Sequence, residues 1–413
     1  MGKTYKKQCK KCFNDRKWCS RTCLKSYLKN NFSNWTSGNE EIDDFIREMQ
    51  LKLNDKNDVV FEWVPHDQLK NLKKIGKGGF ATVYSAIWEH GPLHCDGKKN
   101  DPNYFDGQWK RVARENVALK CLDNCKNISK KFLNEVRAYS KARRGTKVLS
   151  VYGISQNPNT KEYIMILEYA DLGDLSYRIN KNKNFDWSKK LNKLMYIING
   201  LKEIHQKKMV HRDFHTGNIL FKTGKNIGLD IRISDMGLSG KVGNIDNEIC
   251  GVMPYIAPEV LRGNPYTQAA DIYSFGMIMY FIATLRQPFQ NCAHDIYLAL
   301  DICEENKRPE INKLEAPECY IDLMKRCWDP DPNNRPDTNK ICKLIELFHR
   351  SYTTKYRKYA EIKQQFEEAE KYRISNLLIK SQKENSTVTH PQAIYTSRLF
   401  NISVISEGLG MAI

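Results

Sequence analysis

Apolar periodicity changes character once along this chain, and that change limits the fold more than any other feature. Leu72–Gly76, Thr82–Trp88, Val117–Cys121 and Glu162–Glu168 have the length and residue types of strands. Farther on, Leu191, Leu194, Met195, Ile198 and Leu201 recur on one helical face. Strands first and helices later predict an α+β arrangement in two lobes. The chain has 413 residues, 41% of them hydrophobic, with 7 Trp, 21 Tyr and 16 Phe to fill an interior. That composition excludes a disordered or collagen-like chain over most of its length.

Four segments follow from the pattern. Residues 1–36 are basic and cysteine-bearing; 37–68 read as a short helix and linker; 69–349 form the long globular stretch; 350–413 read as a helix and tail. Ser37 and Glu40 have capping-box spacing ahead of Ile42, Phe45, Ile46 and Met49. Tyr356, Tyr359, Ile362, Phe366, Ala369 and Tyr372 recur at helical spacing, and an irregular tail is expected from Pro391. No apolar run approaches the roughly 18 residues of a membrane helix, and the Lys-rich start lacks the apolar core of a secretory signal. The 13 scattered cysteines suit reduced thiols, so a cytoplasmic protein is expected, with the nucleus as the alternative.

Charge is unevenly placed. The net charge is +18, and residues 1–30 hold ten Lys/Arg against the single Asp15. Such an arm can meet nucleic acid, an anionic membrane or an acidic protein, or stay a solvated tail; interleaved aromatics are too few to favour nucleic acid. Within it, Cys9, Cys12, Cys19 and Cys23 form two short pairs. Two readings stay open: a zinc knuckle, since zinc takes four soft ligands, or incidental thiols.

The chemistry-bearing residues come in a fixed order. Ile75-Gly76-Lys77-Gly78-Gly79 lies between two strands, where missing Cβ atoms let backbone approach a phosphate. A strand then ends in Val117-Ala118-Leu119-Lys120. Downstream stand His211-Arg212-Asp213, Asn218 five residues after Asp213, Asp235-Met236-Gly237 and Ala257-Pro258-Glu259. Each piece alone is weak, but the ordered set is the protein-kinase signature. The chain resembles the eukaryotic protein-kinase family over residues 69–349. It is most similar to the tyrosine-kinase-like group, through Cys327-Trp328-Asp329-Pro330, Asn334-Arg335-Pro336 and Asp271–Gly276.

The resemblance implies a small β-rich lobe, a large helical lobe, ATP in the cleft and transfer of its γ-phosphate to protein hydroxyls, with Ser/Thr expected. It implies that the loop Ile75, Gly76, Lys77, Gly78 covers the phosphates and that Lys120, oriented by Glu135, holds two of them. Asn218 and Asp235 would bind Mg²⁺ through oxygen, and Asp213 would accept the substrate proton. Adenine would sit between Val83 and Ala118 on one side and Leu220 on the other. Backbone at Glu168 and Ala170 would meet its polar edge, behind Leu167, and Asp174 would reach the ribose. Glu259 and Arg335 would pair as a structural bridge.

Four departures stand out. Ala81 replaces the third loop glycine, and Met236 replaces the usual Phe. His90–Arg114 reads as a solvent-exposed insertion. His215 and Val252 stand where serine/threonine kinases carry Lys and Thr, and Gly217 stands where tyrosine kinases carry Arg. Within the loop before Ala257, Asp246 and Glu248 could supply Arg212 with a permanent negative charge. The complete Lys120/Asp213/Asn218/Asp235 set favours a working enzyme over the alternative, a pseudokinase or scaffold that recruits partners through the basic cysteine segment.

Overall fold

The computed structural model describes residues 21–53, 58–96, 108–122, 130–140, 146–181, 185–224, 229–236, 240–241, 249–354, 359–380 and 389–401. The chain divides into two units, Met1–Tyr169 and Ala170–Ile413.

The first unit runs α1 (Arg21–Asn30), α2 (Glu40–Leu51), β1 (Glu62–Trp63), β2 (Leu69–Lys77), β3 (Ala81–Trp88), β4 (Leu93–Asp96), β5 (Gln108–Arg111), β6 (Glu115–Leu122), α3 (Lys130–Ser140), β7 (Val151–Gln156) and β8 (Tyr163–Glu168). Six strands form one sheet in the order β1-β7-β8-β6-β3-β2, antiparallel except for the β1–β7 pair. One face buries Leu69, Ala86, Trp88, Val117, Leu119, Ile164 and Ile166 together. β3 and β6 are in full register, Val83 opposite Lys120 and Ser85 opposite Ala118, so the segment after the glycine turn and the lysine strand are neighbours.

Two local expectations change here. The cap of α2 is Asn39, whose side chain accepts from Ile42 N at 3.3 Å, and not Ser37. Ser37 instead donates its backbone N–H to Asp43 Oδ1 at 2.8 Å, because its hydroxyl also reaches that carboxylate and is drawn away from the helix end. The insertion is not wholly solvent-exposed. Its base is the β4–β5 hairpin, whose Leu93 is buried with Leu24, Leu28, Leu53 and Val60. Arg111 anchors it through a two-pronged contact to Glu62, at 3.0 and 2.6 Å. Gly91 lets the hairpin start: it has φ +61°, and a Cβ there would lie 1.6 Å from Val112 O. The hairpin tip, 97–107, lies outside the described residues.

The second unit contains α4 (Leu175–Asn180), α5 (Trp187–Gln206), β9 (Met209–Val210), β10 (Ile219–Thr223), β11 (Leu229–Ile233), β12 (Gly240–Lys241), β13 (Ile249–Gly251), α6 (Pro258–Leu261), α7 (Gln268–Thr284), α8 (Ile296–Cys303), α9 (Glu318–Cys327), α10 (Thr338–Thr353), α11 (Ala360–Lys380) and β14 (Arg398–Phe400). α7 is apolar on all sides and buried along nearly its whole length, which is the pattern of a helix enclosed by others. α11 packs within its own unit: Phe366 is fully buried against Trp187, Phe348 and Tyr352. The segment from Pro391 is not irregular throughout, because β14 pairs antiparallel with β13, Gly251 opposite Arg398. Among the described residues, no helix is long and apolar enough to cross a membrane.

Candidate active site

In the first unit, Lys120 and Glu135 are both buried, and Lys120 Nζ lies 2.7 Å from Glu135 Oε1. Two charges taken out of water need each other, so each side chain fixes the position of the other. Glu115, the nearer carboxylate in sequence, is half-buried at the start of β6. Gly78 N donates to Ala81 O at 2.8 Å and closes the glycine turn, and Ala81 is buried. Val83, Ala118 and Leu167 lie on β3, β6 and β8, with Ala118 directly opposite Leu167. Glu168 ends β8; its N–H donates to Ser150 O at 2.8 Å.

In the second unit, the loop after β9 is built around Asp271 of α7. Its carboxylate accepts from His211 N at 2.8 Å, Arg212 N at 3.0 Å and His205 Nε2 at 2.8 Å. Burial opposes its ionisation, but these donors outweigh burial and hold the carboxyl below its usual range. Arg212 has φ +72°, a left-handed backbone that the grip of Asp271 maintains. His211 is fully buried; Nε2 donates to Ser234 O at 2.9 Å and Nδ1 accepts from Asp213 N at 3.3 Å. Burial lowers its pKa, in keeping with a neutral ring used as a spacer between two loops.

Asp213 is buried, and Asn218 turns toward it: Asn218 Nδ2 donates to Asp213 O at 2.9 Å and to Oδ2 at 3.3 Å. The amide oxygen of Asn218 therefore faces away from Asp213. His215 Nδ1 accepts from Gly217 N at 3.2 Å, so Nε2 carries the ring proton and faces Asp213 Oδ1 at 3.5 Å. Burial raises the Asp213 pKa, but His215 and then the hydroxyl of Ser397 outweigh it and leave the net value lowered. Val252 is buried and brings no hydroxyl, consistent with the imidazole at 215 in place of a lysine. Asp235 is half-buried with φ +56°, a conformation that Asp tolerates better than most residues, and Met236 beside it is buried. Asp174 caps α4 through Oδ1, accepting from Tyr177 N at 2.9 Å, and bridges to Leu220. Ala170 is half-buried.

The family model for protein tyrosine and serine/threonine kinases matches residues 69–345. The chain belongs to this kinase family. Among its relatives, a probable serine/threonine-protein kinase of Dictyostelium discoideum is 27% identical over 284 residues, 68% of this chain and 16% of that one. The probable serine/threonine-protein kinase drkC of the same organism is 28% identical over 286 residues, 64% of this chain and 36% of that one. The serine/threonine/tyrosine-protein kinase HT1 of Arabidopsis thaliana is 29% identical over 195 residues, 45% of this chain and 47% of that one. The chain thus spans less than half the length of each of these relatives.

Within the kinase domain, Glu259 and Arg335 form the two-pronged bridge expected of them, at 2.7 Å on both arms. Asp271, Gly251 and Ser397 were not among the residues singled out by sequence for the site. A carboxylate inside an otherwise apolar helix was the available signal for Asp271. Gly251 has φ +152°, and a Cβ there would come 3.3 Å from Asp213 Oδ1. Ser397 Oγ donates to Asp213 Oδ2 at 2.6 Å from 184 residues away, and no local pattern announces it. Among the described residues, no group of three or more His, Cys, Asp or Glu is placed to hold a metal. Cys9, Cys12 and Cys19 lie outside the described residues, as does the side chain of Cys23; Asp246, Glu248 and Gly237 also lie outside them.

Proposed function

We propose that this protein transfers the γ-phosphoryl group of ATP to serine or threonine hydroxyls of protein substrates. The observation that carries the reading is the buried Asp213 carboxylate with the Asn218 amide on its Oδ2. A low pKa suits Asp213 to aim a hydroxyl and to take its proton only as the bond to phosphorus forms. Lys120, kept in place by Glu135, is assigned to the phosphates of ATP, and the turn of Ile75, Gly76, Lys77 and Gly78 to their cover. Val83, Ala118, Leu167 and Leu220 are assigned to adenine, Glu168 and Ala170 to its polar edge, and Asp174 to the ribose.

Asn218 and Asp235 offer hard oxygen donors, which fits Mg²⁺. When bound, the ion neutralises phosphate charge. His215 supports Asp213 by presenting its Nε2 proton to Oδ1.

Residues 69–349 are assigned to catalysis, 37–68 to a supporting helix and linker, 350–413 to a helical extension with its tail, and 1–36 to docking of an acidic partner. Zinc at Cys9, Cys12, Cys19 and Cys23 rests on spacing alone. A cytoplasmic or nuclear setting fits the buried cysteines Cys250, Cys303 and Cys327, which form no disulfide.

The test is labelled ATP with a generic protein substrate, comparing the native chain with Asp213→Asn. The substitution is expected to lower the rate by about 10²–10⁴-fold. Equal signal from both proteins would sink the reading in favour of a scaffold.

A further inference from the structure

The C-terminal tail brings its own hydroxyl to the catalytic carboxylate. Ser397 Oγ donates to Asp213 Oδ2 at 2.6 Å and lies 3.4 Å from His215 Nε2. This placement is built, not incidental, since anchors lie on both sides of the serine. Before it, Tyr395 packs edge-on against His294 with ring centroids 4.8 Å apart, and its hydroxyl donates to Pro288 O at 2.9 Å. Ile394 N donates to His294 Nδ1 at 3.0 Å. After it, Arg398, Leu399 and Phe400 pair with Gly251, Cys250 and Ile249 as an added antiparallel strand. Main-chain pairing of this kind is how an extended peptide is held on a sheet edge, with side chains presented alternately. Gly251, the residue opposite Arg398, is also the one whose missing Cβ gives Asp213 its room. The tail is thus held as a peptide with one hydroxyl at the base.

We infer that Ser397 is an intramolecular substrate of this kinase: the chain phosphorylates its own tail at Ser397, an inference that rests on the phosphoryl-transfer reading of the site. Ser397 Oγ attacks the γ-phosphorus of ATP. The new Oγ–P bond forms as the bond from that phosphorus to the β–γ bridging oxygen breaks, and ADP leaves with that bond's electron pair. The Oγ proton passes to Asp213 Oδ2 and then to solvent. Nothing is oxidised or reduced. The phosphoserine carries about −1.5 to −2 charges at pH 7 next to the Asp213 carboxylate, so repulsion releases the tail and vacates the hydroxyl position for other substrates. The neighbouring hydroxyl Thr396 is exposed, and no hydrogen bond joins it to Asp213 among the described residues.

The experiment uses the full chain with ATP and Mg²⁺, a generic protein substrate in parallel, and site localisation by mass spectrometry. Expected is phosphate on Ser397 and not on Thr396, with a first-order rate constant unchanged over a tenfold dilution of the protein. A mass-labelled Asp213→Asn chain mixed with the native one is expected to gain no phosphate at Ser397. Phosphorylation of the generic substrate with Ser397 left unmodified would overturn the inference alone, as would a Ser397 rate that scales with protein concentration. No transfer to either acceptor would overturn the parent reading and this one together.

Discussion

Buried charge governs single residues in this protein. Asp271 touches no reactant, yet its two oxygens hold the backbone that carries Arg212 and orient His205. Asp271→Asn replaces one oxygen with a donor that faces donors. We expect a loss of roughly 3 kcal/mol in urea unfolding and a fall in kcat larger than the change in KM. His215 is the strongest influence lowering the Asp213 pKa. Removing it by His215→Ala should therefore move the acid limb of the kcat/KM profile to higher pH, and an unmoved limb would refute its role. Lys190 offers a pH test of stability. It is buried, donates to Ala283 O at 2.8 Å, and burial pushes its pKa down to about 7. The unfolded chain keeps that proton up to its ordinary pKa near 10.4, so between those values unfolding takes up a proton and stability rises with pH. Native protein should gain about 2 kcal/mol relative to Lys190→Met between pH 7 and 9, read from denaturation midpoints.

Elements are held by apolar contacts that cross from one segment to another. α11 is fastened by Phe366, which meets three aromatic rings from α5 and α10, and by Glu370, which accepts from Trp187 N at 3.3 Å. Phe366→Ala should cost about 3–5 kcal/mol, and an unchanged melting temperature would show that α11 is dispensable to its unit. The periodicity from Tyr356 onward predicted this helix. It could not say whether the stripe faced its own chain, because a stripe specifies a face and not its partner. The hairpin of the insertion makes the opposite case. Its Gly, Lys, Asp and Asn suggested solvent, and only tertiary contact places Leu93 beside Leu24 and Leu28.

At the scale of the molecule, each unit has its own organisation: one sheet with flanking helices, and one helical assembly around α7. The basic N-terminal residues do not form a segment wholly apart, since Leu24 and Leu28 lie in the same cluster as Leu53 and Val60. Testing zinc there calls for Cys9→Ser and Cys12→Ser together and not deletion of residues 1–36, which would open that cluster. If the four cysteines hold zinc, the double substitution removes about one metal equivalent, and absence of zinc from the native chain refutes the site.

The sequence by itself determined the family, the early strands and later helices, and the motif residues to which the chemistry is assigned. All of these are written in short spacings: Asp213 to Asn218, the glycines of one turn, the apolar period of one helix. Glu135 was legible as the partner of Lys120 because a helix directly after a strand limits which carboxylate can return to it. Tertiary structure alone decided that Asp271 grips the loop after β9, that Leu93 is core, and that Ser397 reaches Asp213. Those contacts join residues tens to nearly two hundred positions apart. Periodicity records which face of an element is apolar or polar, whereas the identity of the group it meets depends on how every intervening element packs.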